Sequence, residues 1–92
     1  MGTNAFVPSI GTMFKSLYSN KYALLTSWLK QQREAKGLSM RDLAPLLDVP
    51  HSFIGKVEQG ERRLDIVEYI QYCEALEADP FEGLRLVTAT PE

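Results

Sequence analysis

What this chain has little of narrows its chemistry before any motif is considered. Its 92 residues include one cysteine and one histidine, too few for an internal disulfide or for a metal site of the His/Cys kind. Cys73, standing alone, fits a reducing compartment and the part of a small apolar core residue. No apolar run approaches the ~20 residues of a membrane-spanning helix, and the first residues lack the basic, apolar and cleavage-site succession of a secretory signal. The expectation is a cytoplasmic protein with no membrane segment. No catalytic signature of nucleophile, histidine and acid, no paired acid and base and no glycine-rich phosphate loop is recognised, so neither enzymatic activity nor a cofactor is expected. Charge of one sign is also scarce. Ten Lys and Arg against 12 Asp and Glu leave a net charge of -2, which gives the whole chain little attraction for a polyanion.

The charge that is present is unevenly spread. Residues 1–27 carry two lysines and no acid, residues 28–63 carry seven basic and five acidic groups, and residues 64–92 carry one arginine and seven acids. A surface built from the middle of the chain can therefore meet an anionic partner while the acids face elsewhere. With 45% hydrophobic residues, the length suits one small domain around one core.

Helical signals dominate, each with its own start or stop. Trp28-Leu29-Lys30-Gln31-Gln32-Arg33-Glu34-Ala35-Lys36 favours helix by composition, and Gly37 follows at the place where a left-handed residue ends one. Ser19 or Asn20 is placed to cap this first helix, and Tyr22, Leu25 and Leu29 form its expected buried side. Ser39 to Asp42 is a capping box, and Leu43, Ala44, Leu46 and Leu47 mark one apolar face, so a second helix is expected over Met40 to Leu47. Pro45 within it removes a hydrogen bond to Arg41 and should bend or tighten the helix. Asp48-Val49-Pro50 is a turn in which Asp48 tolerates a left-handed backbone. A third helix, about 51–58, buries Ile54 and Val57 and turns His51, Ser52, Gly55 and Lys56 outward; Phe53, one turn before Val57, reads as buried in preference to exposed. Gly60 stops it. Asp65 to Glu68 is a second capping box, heading the stripe Ile66, Tyr69, Ile70, Cys73 and Leu76. Asp79-Pro80-Phe81-Glu82 repeats the device, with proline at the first helical position. The last helix carries Phe81, Leu84, Leu86 and Val87, apolar surface of the kind that marks contact with a second copy. Residues 1–18 read as an N-terminal arm in which Met13, Phe14, Leu17 and Tyr18 are spaced for a short helix, and residues 19–92 as the domain.

The run from Arg33 to Arg63, two short amphipathic helices joined by a tight turn and closed by Gly60-Glu61-Arg62-Arg63, resembles the helix-turn-helix of Cro/CI-type repressors, the XRE family of regulators. The resemblance extends from Leu25 to Leu84. It implies an all-α, five-helix, lambda-repressor-like DNA-binding domain with a short N-terminal extension. It also implies a sequence-specific transcriptional regulator acting as a homodimer on a pseudo-palindromic site in double-stranded DNA, because one short helix reads too few bases. By that resemblance His51 and Ser52 hold the first two positions of the recognition helix and Lys56 the reader one turn further on. Lysine favours guanine O6 and N7, and serine serves several acceptors. Gly55 permits close approach to the groove wall, Arg62 and Arg63 match the corner where the family touches the phosphate backbone, and Arg41, with the first-turn amides of the second helix, is placed to do likewise. Arg33 and Glu58 match an ion pair, structural in role, that joins the first helix to the end of the recognition helix. Met40 stands where the family commonly has a glutamine that helps fix a phosphate, and Asp48 where it usually has glycine. Two other readings share the fold. One is an antitoxin or a restriction-system controller, the former with a toxin as its protein partner; the other is an interaction module that has lost DNA binding, which Met40, Pro45 and the acidic total permit.

Overall fold

The computed structural model describes residues 20–89; the arm assigned to residues 1–18, the capping option at Ser19 and residues 90–92 lie outside them. Five helices follow one another: α1 Asn20–Ala35, α2 Met40–Leu46, α3 His51–Glu58, α4 Ile66–Leu76 and α5 Pro80–Ala89. No strand occurs among the described residues, as the all-α expectation requires. None of the described helices is long and apolar enough to cross a membrane.

Each helix is delimited by bonds local to its ends. Ser39 Oγ accepts the Asp42 N–H at 3.0 Å while the Asp42 carboxylate accepts the Ser39 N–H at 2.8 Å, and Asp65 with Glu68 repeats the exchange at 2.7 and 2.9 Å. Both boxes satisfy amide groups that the first helical turn leaves without partners. The third box does not form. The Asp79 carboxylate takes the Phe81 N–H at 2.9 Å, and the Glu82 N–H turns to the Asp79 carbonyl at 3.0 Å.

The four connected helix ends share one geometry, a pair of nested backbone bonds around a left-handed residue. Gly37 donates to the Glu34 carbonyl at 2.9 Å and Leu38 to Arg33 at 3.1 Å; Asp48 and Val49 do the same to Pro45 and Ala44, Gly60 and Glu61 to Val57 and Lys56, and Glu77 and Ala78 to Glu74 and Cys73. The pivots Gly37, Asp48, Gly60 and Glu77 have φ of 72°, 57°, 79° and 56°. Glycine accepts this conformation without a Cβ clash. Glu77, which has no such freedom, makes an ion pair with Lys36 beyond the end of α1. Around Pro45 the end of α2 tightens, with Leu47 donating to Ala44 at 3.1 Å, and the helix stops at Leu46, one residue early.

The core is drawn from the first four helices: Trp28 and Leu29, Leu43 and Ala44, Ile54 and Val57, and Tyr69, Tyr72, Cys73 and Leu76. α1 packs along α5, and α2 packs against α3. Two expected stripes are rotated. In α4, Tyr72 is buried and Ile66, the first residue of the helix, is exposed. In α2, Leu43 and Ala44 are buried but Leu46 is exposed, since it falls on the flank of a stripe centred on positions 43, 44 and 47. Gly83 of α5 is buried, and its missing side chain lets α5 lie against the ring of Trp28 and the hydroxyl of Tyr69.

Candidate nucleic-acid interface

α3 is two-faced at single-residue resolution. Ile54 and Val57 have no exposed surface, whereas His51, Ser52 and Lys56 on the opposite side are exposed. Pro50 precedes the helix without a side-chain cap, and the helix dipole favours an anion at this end. Behind Gly55 stands α2: the Met40 sulfur is 3.7 Å from the place a Cβ would take. Met40 thus fills the gap over Gly55 with a flexible apolar side chain.

Arg33 and Glu58 meet in a two-pronged ion pair, Nε to Oε2 at 2.6 Å and Nη2 to Oε1 at 3.0 Å, while Nη1 donates to the Leu38 carbonyl at 2.8 Å. Their side chains are 9% and 4% exposed. The Glu58 hydrogen bond, as the largest cause, holds the arginine above its ordinary pKa against the opposing pull of burial. The pair ties the last turn of α3 to α1 and to the turn that follows it. Tyr72 is enclosed nearby; burial first, then the Glu58 charge, pushes its hydroxyl up.

The corner between α3 and α4 holds Arg62 and Arg63, which the structure treats differently. Arg63 is exposed and, like Arg41 and Lys56, enters no ion pair among the described residues. Arg62 is half-buried. Its guanidinium lies 4.9 Å from the centre of the Phe53 ring, one amino group donates to Glu68 Oε2 at 2.8 Å, and the other is bonded to the Arg63 carbonyl. The Arg62 carbonyl in turn accepts the Tyr22 hydroxyl at 2.7 Å. Phe53 is half-buried and packs on the core, with its remaining surface under the arginine. The linkage of Phe53, Arg62 and Glu68 joins three segments, and no spacing rule within one helix would find it. His51, Ser52, Gly55 and Lys56 share α3; Arg41 is the second residue of α2, and Arg62 and Arg63 lie past the far end of α3.

A buried-backed helix presenting unpaired polar side chains after a tight turn, with a second helix behind it, defines the helix-turn-helix class of DNA-binding domain. The family model described as Helix-turn-helix matches residues 29–82. Among solved structures, an XRE-family like protein from Pseudomonas syringae pv. tomato is 35% identical with a TM-score of 0.75, over 86% of this chain and 98% of that one. The restriction-modification controller protein C.AhdI from Aeromonas hydrophila is 32% identical with a TM-score of 0.65, over 71% and 98%. The clp gene regulator ClgR from C. glutamicum, at 23% identity and a TM-score of 0.68 over 75% and 90%, shares the fold. No curated protein matches the sequence significantly. The chain belongs to the XRE family of helix-turn-helix proteins, and its class is that of the DNA-binding transcriptional regulators.

Proposed function

We propose that this protein is a sequence-specific regulator that binds as a homodimer to a pseudo-palindromic site in double-stranded DNA, with α3 in the major groove. The observation that carries the reading is the division of α3, whose buried side is held by Ile54, Val57 and the Glu58 ion pair while His51 and Ser52 in its first turn and Lys56 in its last stand exposed. Lys56 takes guanine O6 and N7, and His51 and Ser52 reach neighbouring base edges. Arg41 and Arg63 meet phosphates on either side, whereas Arg62 is held by Glu68 and Gly55, half-buried under Met40, gives its missing side chain to the approach of α2 and not to the groove wall. A helix of 8 residues contacts few base pairs, so a second copy supplies the other half-site. Phe81 of α5, 66% exposed, is an apolar side chain suited to the contact between copies. The 32% identity to C.AhdI over 71% of this chain favours, as a more particular reading, a controller of a restriction system.

Sequencing of DNA fragments selected by the purified protein tests this directly and should return an inverted repeat. On that site Lys56→Ala and Ser52→Ala should each cost about 1–3 kcal/mol and relax the preference at one base pair. Arg63→Ala should weaken binding to every duplex and flatten its salt dependence. Failure to enrich any sequence overturns the reading, and variants of both kinds acting alike on selected and random DNA overturn the assignment of readers. Sedimentation at micromolar concentration should show a dimer; a strict monomer on DNA argues against the paired site.

A further inference from the structure

Of the two corner arginines, Arg62 is the one already held by an acid. The two oxygens of Glu68 have separate tasks: Oε1 accepts the Asp65 N–H at 2.9 Å and so caps α4, and Oε2 accepts from Arg62 at 2.8 Å. The arginine is thereby laid over the Phe53 ring, in the first turn of α3 next to Ser52. The pair is half open to water, with side chains 42% and 33% exposed, so an approaching phosphate can compete for the guanidinium. Around it the chain is net acidic, with Glu61, Asp65 and Glu68 against Arg62 and Arg63.

We infer that Glu68 is a positioning residue that limits sequence-independent DNA affinity, by pairing with Arg62 and holding its guanidinium on Phe53 away from the phosphate backbone. The inference rests on the reading that α3 and its following corner face DNA. Binding to random duplex comes almost wholly from neutralised phosphates and the counterions they release. An arginine whose charge is already matched releases none. Glu68 thus withdraws one phosphate contact from the general term, and leaves base reading to His51, Ser52 and Lys56.

The test is Glu68→Gln, since glutamine at this position still supports a capping box but has one carbonyl oxygen to divide between the Asp65 N–H and Arg62. On a random-sequence duplex the variant should bind about fivefold more tightly at about 0.15 M salt, with the slope of log K against log salt steeper by about 0.9, the share of one phosphate. In an Arg62→Gln background the same change should do nothing, which separates release of the arginine from simple loss of a negative charge. An unchanged or weaker affinity in Glu68→Gln, or an equal gain in both backgrounds, overturns the inference. Arg63→Gln reports on the docking itself: if it weakens binding while Glu68→Gln is flat, the role of Glu68 alone fails, and if it too is flat, the corner does not meet DNA and both fall. A melting curve on each variant confirms that the fold is retained.

Discussion

Gly83→Ala puts the packing of α5 to a quantitative test. A Cβ at this position would fall 2.7 Å from Trp28 Cζ3 and 2.8 Å from Cε3, and closer still to the Tyr69 hydroxyl, well inside the ~3.5–4.0 Å of ordinary carbon contacts. Neither ring has room to withdraw: Trp28 is 5% and Tyr69 3% exposed, and the Tyr69 hydroxyl is committed to the Pro80 carbonyl at 2.6 Å. Overfilling a packed site costs about 1–3 kcal/mol, and loss of the tyrosine hydrogen bond about 1 kcal/mol more. The greater helix propensity of alanine offsets about 1 kcal/mol. The net loss is about 1–3 kcal/mol, which in a domain this small lowers the melting temperature by roughly 10 °C. Far-ultraviolet circular dichroism during heating reads it directly. In a Tyr69→Phe background one of the two obstructions is gone, so the same substitution should cost less. At an open helical position Gly→Ala is stabilising, so a melting temperature equal to or above that of the parent would refute the close approach of α5 to α1 and α4.

Glu58→Gln should lower stability by about 3 kcal/mol in urea titration, because it leaves the Arg33 charge buried without its counter-charge; a loss under about 1 kcal/mol would mean that the pair is solvated in solution. Asp42 is held below the ordinary aspartate range chiefly by the Ser39 N–H, and Glu77 below the glutamate range by Lys36. Groups depressed in the folded state stabilise above their unfolded pKa and lose that contribution as pH falls through the folded value, so the urea midpoint should decline below about pH 4. Lys36→Gln should make that decline shallower, and an unchanged acid limb would exclude the Glu77 contribution. Cys73 is buried, and burial pushes its thiol up, so a thiol reagent should modify it only as fast as the domain opens. Rapid modification without denaturant would contradict the core assignment.

The caps and stops were legible because they are local. Ser39 with Asp42, Asp65 with Glu68, Gly37, Asp48 and Gly60 announce helix ends within a few residues of chain, and the structure uses all of them. What depends on a distant segment was not legible. Gly83 is small because Trp28 and Tyr69 stand opposite, and Glu77 adopts a left-handed backbone with a pairing partner in Lys36. The buried face of α4 turns toward Tyr72 rather than Ile66 because neighbouring helices, and not the spacing of apolar residues alone, decide which side is covered. At the candidate interface, exposure of His51, Ser52 and Lys56 followed from Ile54 and Val57 facing inward. The hold of Glu68 on Arg62 could not be read, since each residue already had a local reason to be present, one as a capping acid and the other as a corner cation.

The connectors of the domain have no slack. From α1 to α5, each link closes on a left-handed pivot and passes within a few residues to the next cap or first turn. The angle at which α3 is presented is therefore set by backbone bonds, by Ile54 and Val57, and by Glu58, and by none of the side chains that face outward. Substitutions at His51, Ser52 and Lys56 touch no core contact and should each change stability by less than about 0.5 kcal/mol. Recognition and foldedness become separable traits. A lineage carrying this domain can exchange one target sequence for another through individually viable steps, at nearly constant melting temperature, without compensating repairs elsewhere in the chain.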